Sequence, residues 1–341
     1  MTDRPRRVAY VLPVFNEADI IAVFHDALVA ATGTRPDLAY EFVYVDDGSQ
    51  DGSLDRLLAL REKDERVTVL SLARNFGHQL AVTAGIDAAH AAEADAVIVM
   101  DTDLQDPPAV SMELLQRWEA GADVVYAQRR SRQDTPFKRG TATAFYWVLD
   151  RIADTPIPRN VGDFRLMDRR VVNEVAKYRE HNRFMRGIVA QVGFRQEALL
   201  FDRDERLAGE SKYPLSKMLR LAADGIMGFS TQPLRLISHL GLLISGLSLV
   251  GIFYVLGVRL LDPDDSVPGW AFLAVAMFFL GGVQLIVLGV IGSYVGRTYV
   301  EVLDRPLYSV ALAARGSGEA PRHDLDPTHP LSSRGHLEED T

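Results

Sequence analysis

Residues 97–108 read VIVMDTDLQDPP. Four apolar residues, two of them valine and one isoleucine, describe a buried strand. The run stops at Asp101, and a second carboxylate follows at Asp103. Gln105, Asp106 and the Pro107–Pro108 stop come next. Asp101, Asp103 and Gln105 place hard oxygen donors on one short turn. Such donors suit Mg²⁺ or Mn²⁺, which also take oxygens from substrate phosphates. Asp-x-Asp alone is common in acidic turns, so its meaning depends on what lies around it.

Working outward, strand and helix patterns alternate. Strands are expected at 7–14, 40–49, 66–75, 94–103 and 122–130, with helices at 17–32, 51–64, 78–92 and 108–121. This rhythm predicts an α/β domain with a mostly parallel sheet covered on both faces. Ligands of such sheets bind outside the carboxyl ends of the strands. Those ends collect Pro13, Phe15 and Glu17; Asp46 and Asp47; Arg74 and Asn75; Asp101 and Asp103; and Gln128, Arg129 and Arg130. Neither a Gly-x-Gly-x-x-Gly turn nor a Gly-x-x-x-x-Gly-Lys-Ser/Thr loop is present. A divalent cation is then the economical way to meet phosphate charge.

The formal net charge of −9 argues against a general nucleic-acid binder, and the absence of cysteine excludes disulfides and thiolate chemistry. No secretory leader is read at the N-terminus. Segments 240–261 and 270–296 are each long and apolar enough to cross a bilayer, and the second carries no charge. Two buried helices of a soluble domain are the alternative. Lys212, Lys217, Arg220 and Arg235 precede the first segment, Arg297 and Arg305 follow the second, and DPDDSVPG lies between. Positive-inside reasoning puts both chain ends in the cytoplasm. Residues 214–238 read as interfacial amphipathic helix, or else as a surface helix of the soluble domain. The polar tail, 313–341, is expected to be disordered. The soluble domain is bounded at 1–213, with the membrane region at 239–299.

YVLPVFNE, VYVDDGSQDGS, LARNFGHQLAVTAGIDAA and VIVMDTDLQDPP together resemble the signature of glycosyltransferase family 2, of GT-A fold. VGDFRLMDRRVV and RLAGESKYPLSKM extend the likeness, and the branch resembled is that of the polyprenyl-phosphate glycosyltransferases. The two-span tail is similar to that of the bactoprenol subgroup. The resemblance implies inverting transfer of a sugar, with UDP-glucose the leading donor and GDP-mannose or UDP-N-acetyl sugars behind it. The acceptor implied is a polyprenyl phosphate of undecaprenyl or decaprenyl type, met at the cytoplasmic membrane. Relatives of this branch suggest a homo-oligomer such as a tetramer.

By matched position, Pro13, Phe15, Glu17, Val45 and Asp47 would hold the nucleoside. Asp101, Thr102, Asp103 and Gln105 would meet the metal and donor diphosphate. Arg129 would contact sugar or acceptor phosphate, and Arg206 and Lys212 would meet phosphate charge. Lys138 and Arg139 could join the acceptor phosphate, or face lipid headgroups. Asp163 would orient the acceptor or pair with Arg165, and His78 is read as capping or packing at a helix start. Because the acceptor is already an anion, no strong general base is required; cations must bring two anions together. A processive polysaccharide synthase is less favoured, since a Gln-x-x-Arg-Trp signature is missing. A non-catalytic membrane scaffold or flippase partner is disfavoured by the intact acidic set.

Overall fold

The computed structural model describes residues 5–130, 161–202, 232–261 and 269–315. Lys138, Arg139, Arg206, Lys212, the 214–231 stretch and the tail from 316 lie outside the described residues.

The four expected βα units are present. They comprise β1 (Arg7–Val14), α1 (Ile21–Thr32), β2 (Ala39–Asp46), α2 (Ser53–Lys63), β3 (Val67–Leu72), α3 (His78–Ala91), β4 (Ala96–Val99) and α4 (Val110–Glu119). They are followed by β5 (Val124–Arg129), β6 (Val161–Asp168), α5 (Arg169–Val175), α6 (Met185–Val192) and β7 (Gln196–Phe201). Two long helices, α7 (Gln232–Leu261) and α8 (Trp270–Val302), and a last strand, β8 (Val310–Ala314), complete the order.

The eight strands form one sheet in the order β7-β5-β6-β4-β1-β2-β3-β8. β1 pairs in parallel with β2 and β4, β2 with β3, and β5 with β7. β6 runs antiparallel between β4 and β5, and β8 antiparallel on β3. β6, β7 and β8 were not expected from periodicity. β8 also takes in Ala313 and Ala314, which were assigned to the tail; pairing with Leu70 and Val69 satisfies their backbone and holds them on the sheet edge.

The reversal of β6 positions the site. Its register sets Val99 against Arg165 and Ala96 against Asp168. The beginning of β6, with Gly162 and Asp163, therefore lies at the edge where β4 ends and Asp101 follows. A residue 62 positions later in the chain is thus delivered beside the acidic turn.

Central strands β1 and β3 are buried almost throughout, as two-sided cover demands. One core lies between the sheet and α1, α2 and α4, built on Tyr10, Phe24, Phe42, Tyr44, Ile98 and Leu114. The opposite face carries α3, α5 and α6 over Val11, Val97, Val171 and Ile188. Helix α3 approaches closely because it presents Ala81, Ala84, Gly85 and Ala88. A Cβ on Gly85 would stand 2.3 Å from Val11 Cγ1.

The described residues fall into two compact units, the sheet with its helices and the long helix pair. Both segments expected to span a membrane are helical. Among the described residues, one stretch, Phe279–Val302, is long and apolar enough to cross a bilayer. Leu285, Ile286, Leu288 and Val295 on it are exposed. The expected pair of spans is therefore met by one qualifying stretch within this described set.

Candidate active site

Three loops are tied together at the carboxyl edge of the sheet. After β1, Asn16 adopts φ 56°, the left-handed region that Asn tolerates. Its Oδ1 accepts from Gln50 N at 2.8 Å, and its own N–H donates to Ser49 Oγ at 2.9 Å. Glu17 N donates to Ser53 Oγ at 3.0 Å, and Ala18 N to Asp51 Oδ2 at 3.1 Å. After β2, Asp46 accepts from Ser71 Oγ and Ser49 N. Asp47 accepts from Phe76 N at 2.7 Å and Gly77 N at 2.9 Å. Gly48, at φ +70°, sits so close to Arg74 and Asn75 that a Cβ would fall 2.6 Å from the Arg74 carbonyl carbon. The carboxylate of Asp47, expected to hold the nucleoside, thus shapes the loop that starts α3. Burial pushes its carboxyl up despite those two N–H donors, and Asp46 adds to the rise.

That loop delivers His78 and Gln79 to the acidic turn. His78 Nε2 lies 3.0 Å from Asp163 Oδ2 and 3.7 Å from Asp101 Oδ1. Because an ionised carboxylate only accepts, the ring donates to Asp163. Gln79 Nε2 donates to Asp163 Oδ2 at 3.2 Å, and Arg186 Nε donates to Asp163 Oδ1 at 2.9 Å. Arg165 stands farther off, with Nη2 3.9 Å from Asp163 Oδ1; it donates instead to the carbonyls of Gly162 and Asp163. The Arg129 guanidinium comes within 3.5 Å of where a Gly162 Cβ would sit. Asp101, His78, Asp163, Arg186 and Arg129 therefore form one band, acidic at one end and basic at the other.

The electrostatics follow from this packing. Burial would raise Asp163, but the His78 hydrogen bond, the Arg186 contact and the Arg165 charge hold it far below the ordinary carboxylate range. Burial pushes Asp101 up to about 6; His78 opposes this, while Asp163, Asp106 and Asp103 add to it. For His78, burial alone would lower the imidazole, and the Asp163 hydrogen bond with the Asp101 charge reverses this to a net rise. Glu17 is raised chiefly by burial, against the Thr102 hydrogen bond, with Asp103 and Asp101 adding.

The remaining expected residues divide. Thr102 is buried: its hydroxyl donates to Glu17 and lies 3.2 Å from the Pro13 carbonyl. Asp103 Oδ1 accepts from Gln105 N at 3.0 Å, and Leu104 between them has φ 58°. Gln105 is buried, 4% exposed. Val45 belongs to the core under α3, and Phe15, 46% exposed, remains open at the end of β1. No group of three or more His, Asp or Glu ligands is preassembled among the described residues. The pair Asp101 and Asp103 fits a cation that takes its other oxygens from substrate and water, and the raised Asp101 carboxyl is what an added positive charge would relieve.

His78 was expected to cap or pack; the structure instead turns its ring, 42% exposed, toward the two aspartates. Gln79 and Arg186 were missed. The motif RNFGHQ contains Gln79, but nothing in sequence spacing links it to residues 163 and 185.

The profile described as "Glycosyl transferase family 2" matches residues 10–176. The "Uncharacterized glycosyltransferase YkcC" of Bacillus subtilis is 45% identical over 308 residues, covering 89% of this chain and 94% of its own length. This chain is a family 2 glycosyltransferase. The "SfII prophage-derived bactoprenol glucosyl transferase" of Shigella flexneri is 42% identical to the glycosyltransferase, over 91% of this chain and 99% of its own. Among solved structures, the "Mannosyltransferase PcManGT from Pyrobaculum calidifontis in complex with GDP-Man and Mn2+" aligns at 18% identity with a TM-score of 0.46, covering 89% of each chain. The family 2 glycosyltransferase has the GT-A architecture of a mostly parallel sheet flanked by helices, with its acidic turn at the end of β4.

Proposed function

We propose that this glycosyltransferase moves one sugar, with inversion, from a nucleotide-sugar to a polyprenyl phosphate at the cytoplasmic face of a membrane. The observation that carries the reading is the band from Asp101 through His78 and Asp163 to Arg186 and Arg129, in a chain 42% identical to a bactoprenol glucosyl transferase along nearly its whole length. UDP-glucose is the proposed donor, on the strength of that relative's name.

Asp101 and Asp103 would hold Mg²⁺ or Mn²⁺, which supplies positive charge to the departing diphosphate. Phe15 and Glu17 stand where the nucleoside would lie. Asp163, kept ionised by its neighbours, orients His78 beside Asp101 and Arg186 at the basic end of the band. Arg129 and Arg186 lower the repulsion between donor and acceptor phosphates, and Arg206, Lys212, Lys138 and Arg139 are proposed to join them. An acceptor phosphate oxygen already carries charge, so the attack on the anomeric carbon needs no deprotonation, and a single displacement inverts that carbon.

Membrane attachment is part of the proposal. Phe279–Val302 can cross a bilayer, and the exposed apolar side chains along it support that role. We propose residues 240–261 as a second span, with both chain ends cytoplasmic as the flanking Lys and Arg require.

The test is glycolipid synthesis by purified full-length protein with Mg²⁺ or Mn²⁺, undecaprenyl phosphate and a panel of UDP-glucose, GDP-mannose and UDP-N-acetylglucosamine. One sugar per lipid is expected, and Asp103→Ala abolishes it with the fold retained. Polymer formation, or full activity in excess chelator, would refute the reading.

A further inference from the structure

Helix α6 begins without a cap of its own. Its first residue, Met185, has an N–H with no partner inside the helix, as every first turn does, and Phe184 before it offers no side-chain acceptor. The partner comes from another helix: Met185 N donates to Gln79 Oε1 at 2.8 Å. The other end of the same amide, Nε2, donates to Asp163 Oδ2 at 3.2 Å. The two contacts assign the amide orientation, since a backbone N–H needs the oxygen and a carboxylate needs the nitrogen. One planar group thus spans the start of α3, the start of β6 and the start of α6. Arg186, the next residue along α6, makes the third contact to Asp163.

We propose that Gln79 is a positioning residue for the transfer reaction, holding Asp163 and the first turn of α6 in one relation so that His78 and Arg186 stay aimed at the acceptor end of the site. This inference rests on the reaction proposed above. Asp163 has two oxygens and several donors; without Gln79 its carboxylate can rotate toward Arg186 and away from His78. Helix α6 also loses the partner of its first N–H. Nucleoside contacts, at the β1 and β2 ends, are left alone.

Two variants separate the amide's ends. Gln79→Glu keeps an acceptor for Met185 and removes the donor to Asp163. Gln79→Met keeps the length and removes both. Full-length protein in detergent is assayed for glycolipid synthesis and for amide exchange at Met185, with the melting temperature recorded. Both variants are expected to lower kcat about 100-fold, with KM for the sugar nucleotide within about twofold of wild type. Met185 exchange should accelerate in Gln79→Met and stay slow in Gln79→Glu. Wild-type kcat in both variants, or unchanged Met185 exchange in Gln79→Met, would overturn the proposal. Should the wild-type protein make no glycolipid, the activity reading falls, and Met185 exchange in the two variants still decides the clamp.

Discussion

Replacing Gly85 by alanine tests whether close packing of α3 sets the site. The added methyl would stand 2.3 Å from Val11 Cγ1 and 3.1 Å from Val45 Cγ2. Carbon atoms pack at roughly 3.5–4.0 Å, so a gap of about 1.2–1.7 Å must open. Val11 lies on central strand β1, fully buried, and its β-branched side chain has little freedom to turn aside. Helix α3 must lift instead. Overpacking of this kind costs about 1–3 kcal/mol. The upper end applies here because the clash is with a stiff side chain on an internal strand. Alanine returns about 1 kcal/mol through its helix propensity, leaving a net loss of about 2 kcal/mol. For a domain of this size that lowers the melting temperature by about 4–8 °C. Activity should fall further than stability, because lifting α3 carries His78 and Gln79 away from Asp163 and a displacement of about 1 Å can cost about 100-fold in rate. Thermal unfolding followed by tryptophan fluorescence in detergent, paired with the glycolipid assay, reads both effects. Val11→Ala removes the clashing carbon, so the double variant should be more stable than the sum of the two single changes predicts. A Gly85→Ala protein that melts at or above the wild-type temperature, or strict additivity in the double variant, would refute this reasoning.

Three further outcomes are expected. Asp163→Asn leaves Arg186, Arg165 and His78 facing a neutral amide; breaking a buried pair costs about 3–5 kcal/mol, and the low end applies since Asn keeps hydrogen-bonding capacity. Because the Asp163 carboxyl is depressed in the folded state, that difference is present above the usual carboxylate range and shrinks as pH falls through it, which denaturation of both proteins between pH 3 and 7 will show. Asp101 behaves oppositely: its carboxyl is raised to about 6, so the stability it contributes to cation-free protein is full below the unfolded carboxylate range and lost as pH rises through about 6. Mn²⁺ affinity, by titration calorimetry, should in turn fall about tenfold per pH unit below about 6 and level off above it, where Asp101 is already ionised. Thr102→Val removes the hydroxyl that serves Glu17 and Pro13; it should lower the melting temperature while sparing the Mn²⁺ affinity, since that hydroxyl is engaged by Glu17 and the Pro13 carbonyl.

Much of the molecule can be read from short range. The apolar runs of β1 to β5 and the helical periods between them dictate the βα units, because two-sided burial leaves no other pattern for those segments. The position of Asp101 and Asp103 follows from the same runs, since both come directly after the apolar stretch ends. Both long apolar segments are helical, as their composition requires. Strands β6 and β8 were not legible: GDFRLMD is short and mixed, and VALAA ends at a polar tail. Each is a strand only because an edge or a slot in the sheet pairs with it.

The chemistry of the band is where tertiary structure decided. Sequence by itself determined a sheet with acids and arginines at one edge, and the residue types suited to a cation and phosphates. It could not reveal that β6 runs backwards between β4 and β5, and that single reversal sets Asp163 beside Asp101. Nor could it tell that Asp47 is spent on the Phe76 and Gly77 amides, or that His78 and Gln79 turn inward to meet Asp163. Those outcomes depend on which partners the fold packs beside a buried donor or acceptor, and for His78 the partner Asp163 lies 85 positions away. Local pattern records which side chains are polar; only packing assigns them to one another.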